Sequence, residues 1–171
     1  FQTALNVNAA NADLRVRVQL FDNGRSSTGP LDPNFPNSNA SLIKTFVINA
    51  TPVNDSPIPN VFFLDSDEDR RITIQAADVL LGDLPGPTSD ENNGSQSLKM
   101  TQIERTSRGG GTIIPTFDAF NNIVSFEYLP PSNLVGPDTF LYVVTDNGIP
   151  ARSGTGTITI GLRGVTDPPQ F

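Results

Sequence analysis

The sequence contains no cysteine, no histidine and no tryptophan among its 171 residues. Without cysteine, disulfide bonds and thiolate metal sites are excluded, so this chain is not a disulfide-stapled secreted domain. Without histidine, serine–histidine catalysis and the usual zinc chemistry are excluded as well. The sequence also lacks an apolar run of about 18 residues, so we expect no direct insertion into a membrane.

Charge is scarce in this sequence and mostly negative. Charged residues make up 17% of the chain, its formal net charge is −7 and its pI is near 4.4. A nucleic acid or an anionic membrane surface would need clusters of lysine and arginine, so neither partner is expected, and divalent cations suit the chain better. The 14 glycines and 15 prolines favour many short strands separated by turns over long helices.

Apolar and polar residues alternate in several segments of the chain. Leu14, Val16 and Val18, for example, share one face of a predicted half-buried strand. The same reading predicts strands near 4–8, 14–21, 43–50, 60–64, 71–75, 97–104, 111–117, 123–129, 138–145 and 155–163. A short helix is predicted only at 76–81, where Gly82 would end it.

The alternation also predicts which side chains form the core. On the last two strands, Phe140, Tyr142, Ile158 and Ile160 are predicted to be buried together. Phenylalanine is usually buried, and we expect the same core to include a set of six phenylalanines. They are Phe62, Phe63, Phe117, Phe120, Phe126 and Phe140.

Two short motifs each occur twice, which indicates a tandem repeat. Residues 53–57 and 165–169 are similar linker segments that follow threonine-rich apolar strands, and they lie 112 residues apart (165 − 53). An Asp-Asn-Gly turn occurs at 22–24 and at 146–148, which is 124 residues apart (146 − 22). The first copy therefore carries about 12 extra residues in the loop between its last two strands.

The overlay of the two copies predicts the domain organisation. Residues 1–53 are the C-terminal half of a repeat, residues 54–59 are a linker, and residues 60–171 are a complete repeat. The strands of 60–171 can close a sandwich alone, whereas those of 1–53 cannot cover both faces of their own sheet. Upstream sequence or another chain is therefore expected to complete the first half.

Several motifs, taken in their order along the chain, carry a family resemblance. They are residues 67–69, 72–74, 77–81, 84–87, 136–142, 145–150, 154–160 and 165–171. Together they resemble the cadherin-like, immunoglobulin-like β-sandwich repeats of large bacterial cell-surface and adhesin proteins. The resemblance covers residues 54–171 and, in its C-terminal half only, residues 1–53. It implies an all-β, immunoglobulin/cadherin-like sandwich in an extracellular or cell-surface protein.

Members of this family hold calcium ions between successive repeats. Calcium binds about six to eight oxygen ligands from carboxylates, amides and backbone carbonyls, and the acidic linkers offer such groups. By resemblance, the ligands at the incoming end of the complete repeat are Asn54, Asp55, Asp90 and Asp146, and those at the outgoing end are Glu68, Asp69, Asp138 and Asp167. The outgoing linker departs from the family pattern, because Thr166 replaces the usual asparagine and Pro168 follows the aspartate.

The sequence therefore predicts a non-enzymatic structural or adhesive repeat segment, stiffened by calcium, whose partners are neighbouring repeats or neighbouring copies. The alternative is a subunit of an extracellular fibre that is assembled head to tail by strand complementation between chains. A third reading is a carbohydrate-binding module, but two tyrosines and no tryptophan make a weak aromatic platform. No enzyme is expected, because nothing indicates two carboxylates facing each other across a cleft.

Overall fold

Short strands dominate the structure, a computed structural model that describes residues 14–20, 43–48, 53–88 and 96–166. In order, the strands are β1 Leu14–Val18, β2 Lys44–Ile48, β3 Phe62–Asp67, β4 Ile72–Gln75, β5 Leu98–Ile103, β6 Thr112–Phe117, β7 Ile123–Leu129, β8 Gly136–Asp146 and β9 Ser153–Arg163. Each overlaps a strand that the alternation predicts, although β3 extends three residues beyond the predicted 60–64. The strand predicted at 4–8 lies outside the described residues.

A single helical turn, α1 (Ala76–Val79), follows β4 in the described part of the chain. The helix ends at Val79, earlier than the predicted end at residue 81, and Gly82 instead lies in the turn that follows, with a φ of 92° that favours glycine. In the ranges that the structure describes, no helix has the length and apolar character needed to cross a membrane.

The chain divides into two units, Phe1–Pro52 and Val53–Phe171, which are termed unit 1 and unit 2. In unit 1, β1 and β2 form an antiparallel two-stranded sheet. Its register places Val16 opposite Phe46, so these two apolar side chains share one face of the hairpin.

Unit 2 is built from two layers of strands. β3, β9, β8 and β5 form one layer, and β4, β7 and β6 form the other. Among the described residues, β5 and β7 connect the layers through one register pair, Met100 with Ile123. β3 runs parallel to β9, whereas the other neighbouring strands are antiparallel. The predicted all-β, immunoglobulin-like class is thereby confirmed.

The core of unit 2 lies between these layers and centres on aromatic rings. Phe126 and Tyr128 of β7 both contact Phe140 of β8, with ring centroids 5.9 Å apart in an edge-to-face pair and 5.7 Å apart in a stacked pair. The four side chains predicted from the last two strands are all buried, with exposed fractions of 0–1%, and this prediction is confirmed. They are Phe140, Tyr142, Ile158 and Ile160.

The prediction for the six phenylalanines is wrong for three of them. Phe63, Phe117 and Phe120 are 58%, 40% and 82% exposed. Phe63 lies between two inward-facing neighbours on β3 and therefore points outward, because side chains alternate along a strand. Phe117 follows a β-bulge in β6, and Phe120 lies in the turn before β7, where the alternation no longer applies.

Candidate functional site

The sequence predicts the ligand residues at the two ends of unit 2. Strand β9 runs from one end to the other. The incoming chain at Asn54 contacts the turn between β8 and β9, and the outgoing chain at Val165 contacts Glu68. β9 has 11 residues between these contacts, a length of about 36 Å at roughly 3.3 Å per residue. The chain therefore enters and leaves unit 2 at opposite ends of the sandwich.

Asn54 and Asp146 meet at the incoming end, as the sequence predicts. The amide nitrogen of Asn54 donates to the two carboxylate oxygens of Asp146 at 3.2 and 3.1 Å, and to the carbonyl of Pro150 at 2.9 Å. The side-chain oxygen of Asn54 accepts a hydrogen bond from Gln96 at 2.8 Å. Both side chains are buried, so the start of the linker is fastened to unit 2.

Asp146 also shapes the turn between β8 and β9. Its Oδ1 accepts the backbone N–H groups of Gly148 at 3.0 Å and Arg152 at 2.9 Å. A Cβ atom at Gly148 would lie 2.0 Å from Oδ1 of Asn54, so only glycine leaves room for the linker side chain. The Asp-Asn-Gly sequence thus forms a turn and a receptor for the linker at the same time.

Glu68 holds the outgoing chain in a similar way. Its carboxylate Oε1 accepts the backbone N–H of Val165 at 2.9 Å, and its own N–H donates to the carbonyl of Arg163 at 2.9 Å. Asp69 does not join this contact, because its Oδ1 accepts the N–H of Asn133 at 3.2 Å in a neighbouring loop. Of the two adjacent acidic residues, Glu68 is therefore the one that binds the outgoing chain.

Asp138 lies in the interior of unit 2 with only 1% of its surface exposed. Its Oδ2 accepts the hydroxyl groups of Tyr128, at 2.6 Å, and Ser107, and its Oδ1 accepts the N–H groups of Gly109 at 2.7 Å and Thr139 at 2.8 Å. Burial alone would raise the pKa of Asp138, but these donors lower it below its usual value. The ionised side chain ties the turn between β5 and β6 to β7 and β8.

Asp83 is a second buried carboxylate, and no sequence motif predicts it. Its oxygens accept the hydroxyl of Tyr142 at 2.9 Å and the backbone N–H of Asn60 at 2.7 Å, which fastens the segment before β3. Burial raises the pKa of Asp83 more than these two donors lower it. Nothing local in the sequence indicates this contact, because Tyr142 lies 59 residues further along the chain.

These contacts allow a test of whether the described residues fit a calcium ion. Calcium needs about six to eight oxygen ligands, but the carboxylates of Asp138 and Asp146 already accept several N–H and O–H groups. Within residues 14–20, 43–48, 53–88 and 96–166, no group of three or more carboxylates could hold a metal ion. The described residues therefore do not fit calcium by themselves. Asp90 and Asp167 lie outside them, and calcium binding stays a prediction.

A cleft of about 470 Å³ lies between α1, β5 and the turn before β7. Asp118 is the carboxylate among its described lining residues, and Lys99 is the cation. Asn122 donates to Asp118 from its side chain at 2.9 Å and from its backbone at 2.8 Å, and these bonds lower the pKa of Asp118. Asp118 thus stabilises its own turn. That the protein is not an enzyme stays a prediction.

Comparison with known proteins gives only distant similarities. No family model and no curated protein matches the chain. Similar solved structures include a nucleoside hydrolase-related hypothetical protein from Saccharophagus degradans that is associated with carbohydrate metabolism, at 19% identity and a TM-score of 0.41. They also include extracellular domains of a protocadherin gamma, at 14% and 0.32, and an endo-fucoidan hydrolase from glycoside hydrolase family 107, at 18% and 0.35.

These alignments cover 64%, 71% and 74% of this chain in that order. The chain spans 26%, 38% and 17% of the lengths of those three proteins. Cadherin domains are thus among the structures to which the chain is similar. At such low identities and TM-scores, however, none of these similarities carries an argument about fold or function.

Proposed function

We propose that this chain is a non-enzymatic, load-bearing spacer made of β-sandwich repeats in an extracellular or cell-surface protein. One observation carries the proposal: the chain enters and leaves unit 2 at opposite ends, through two strands that are parallel neighbours. β3 follows the incoming linker, and β9 leads to the outgoing chain. The extracellular location and the adhesive role rest on the resemblance of the repeat motifs, and neighbouring repeats are the proposed partners.

The pairing of β3 with β9 suits a chain under tension. β3 and β9 are joined over six register pairs, from Phe62 with Ile158 to Asp67 with Arg163. Tension along the chain pulls the start of β3 toward the incoming end and the end of β9 toward the outgoing end. The two strands are then sheared, so the six pairs carry the force together and do not open one after another.

The two linker contacts extend this arrangement to the ends of the unit. Asn54 binds Asp146 at the incoming end, and Glu68 binds the N–H of Val165 at the outgoing end. Each contact holds a linker against the sandwich, so an applied force reaches the strands without first straightening a loose segment. A spacer of this kind transmits tension along β9, which is about 36 Å long.

Single-molecule force spectroscopy tests the proposal directly. The chain has no cysteine, so cysteines introduced at exposed positions give unique attachment points. With Ser56→Cys and Thr166→Cys, the force shears β3 against β9. With Arg70→Cys and Thr166→Cys, the force acts at one end of the same strand pair and peels it open. We expect a severalfold higher unfolding force for the first pair of cysteines.

The second pair of cysteines is the matched control, because it shares Thr166→Cys and loads the same sandwich. Equal unfolding forces in the two directions, or a lower force in shear, would reject the load-bearing role. Melting curves of both double variants should match that of the parent, since all three positions are exposed.

A further inference from the structure

The hairpin of unit 1 is the structural counterpart of β8 and β9 in unit 2. The turn offset of 124 residues matches Val16 to Phe140, and the linker offset of 112 residues matches Phe46 to Ile158. The structure pairs Phe140 with Ile158 in unit 2 and, independently, Val16 with Phe46 in unit 1. All five register pairs of β1 with β2 agree with these offsets.

The matched positions differ sharply in exposure. In unit 2, Phe140 and Ile158 are fully buried, and Tyr142 is 1% exposed. In unit 1, Phe46, the counterpart of Ile158, is 57% exposed, and Val18, the counterpart of Tyr142, is 40% exposed. The face that forms the core of unit 2 is thus accessible in the hairpin of unit 1.

Unit 2 shows what covers such a face. β7 lies across it and places the rings of Phe126 and Tyr128 against Phe140. β4 and β6 flank β7 and complete the facing layer. A two-stranded hairpin is marginally stable on its own, so the exposed face of unit 1 needs a layer of this kind.

Building on the proposed function, we propose that this face of the β1–β2 hairpin docks the first half of another β-sandwich repeat. The partner is a segment with the strand order of residues 57–129, and its three-stranded layer presents aromatic rings to Val16, Val18 and Phe46. Docking would complete a second sandwich. The docking surface is the apolar face of the hairpin. The opposite face carries Arg15 and Arg17.

A fusion protein tests this proposal with the whole chain. Residues 1–5 are replaced by a second copy of residues 57–129, which joins residue 129 to residue 6 and preserves the offset of 124 residues (130 − 6). Hydrogen exchange is then measured for the amides of β1 and β2 in the parent and in the fusion. We expect exchange at least about tenfold slower in the fusion, because the docked layer must open before these amides exchange. Unchanged exchange would overturn the proposal.

Two neighbouring residues provide the matched variants in the fusion. Phe46 and Val47 are both 57% exposed in the parent, but they lie on opposite faces of β2. Phe46→Ser should abolish the added protection, whereas Val47→Ser should keep it. Equal effects of the two substitutions would refute the assignment of the docking face.

Light scattering of the parent chain tests whether a second copy of the chain, and not the proposed repeat segment, covers this face. A dimer of the parent that Phe46→Ser dissociates, with β1 and β2 already protected, would show that a second copy covers the face and would overturn the proposal. The force measurements load unit 2 alone, so the spacer function and the docking surface can fail independently.

Discussion

At the scale of single residues, two buried aspartates stabilise unit 2 through hydrogen bonds. The sequence predicts one of them, Asp138, as a calcium ligand and predicts no role for the other, Asp83. The chain has two tyrosines, and each donates its hydroxyl to a buried aspartate, Tyr128 to Asp138 and Tyr142 to Asp83. A buried carboxylate is costly unless donors surround it. Here the donors come from separate loops and strands, so each aspartate joins parts of the chain that are distant in sequence.

The contributions of Asp83 and Asp138 to the stability of the fold should change with pH in opposite directions. Asp83 gives the first prediction. Burial raises the pKa of Asp83, so the folded chain binds this proton more tightly than the unfolded chain. Its contribution to stability is complete below the unfolded pKa of about 3.9 and is lost as the pH rises through the raised folded pKa. Asp83→Asn removes the titration and keeps an acceptor oxygen. Its melting temperature relative to the parent should therefore increase between about pH 4 and pH 7.

Asp138→Asn is the comparison variant, because the pKa of Asp138 is lowered in the folded chain. The stability that Asp138 contributes is present above the unfolded pKa of about 3.9 and is lost as the pH falls through the lower folded pKa. Relative to the parent, Asp138→Asn should lose stability on going from acid to neutral pH. Parallel pH profiles for the two variants would contradict both assignments.

At the scale of elements, the pair β8 and β9 carries most of the pattern that can be read from sequence. β8 alternates buried and partly exposed side chains from Asp138 to Asp146, and β9 does the same over most of its length. Their register brings Phe140 opposite Ile158. The register of β1 with β2 agrees with the same two sequence offsets.

Phe140 provides a prediction for this strand pair. Its ring is fully buried and contacts two aromatic rings of the facing layer. Phe140→Ala should destabilise unit 2 by about 3–5 kcal/mol and leave little soluble protein, because truncation opens a cavity in a packed core. Denaturant unfolding of any soluble fraction measures the loss.

The matched control for Phe140→Ala is Phe120→Ala, since Phe120 is 82% exposed in the turn before β7. This substitution should change the free energy of unfolding by less than about 0.5 kcal/mol. If Phe140→Ala unfolds at the same denaturant concentration as the parent, the assigned register of β8 and β9 is incorrect.

At the scale of the whole molecule, the ends of unit 2 decide how it can act in a longer chain. Hydrogen bonds from Asn54 and to Glu68 hold both linkers to the sandwich. The family resemblance implies calcium ions at the same two ends of unit 2. The described residues form these hydrogen bonds without completing a metal site among themselves, and calcium at the two ends stays a prediction.

Melting curves in EDTA and in millimolar calcium test the calcium prediction. An ion that binds only the folded chain stabilises it by about 2.7 kcal/mol at one hundred times its dissociation constant. The prediction therefore expects a higher melting temperature in calcium and a smaller difference for Asp146→Ala. Because Asp146 also accepts hydrogen bonds, the variant should melt below the parent even in EDTA. Superimposable parent curves would reject a structural ion.

The sequence by itself predicted the strands, most of their inward faces and the two offsets that relate the two hairpins. These properties are local, because alternation fixes which side chains share a face, and a turn motif fixes the register of the two strands that it joins. Phe140 and Ile158 could therefore be placed in the core, and Asn54 could be placed beside Asp146 once an immunoglobulin-like strand order was assumed.

Only the tertiary structure decided which carboxylates are buried and which faces remain exposed. Asp138 and Asp69 both belong to acidic motifs of the sequence, yet Asp138 is enclosed by four donors and Asp69 is exposed in a loop. Phe46 has the pattern of a core residue but remains 57% exposed. Burial depends on what lies across the sheet, and in unit 2 that layer comes from strands other than β8 and β9.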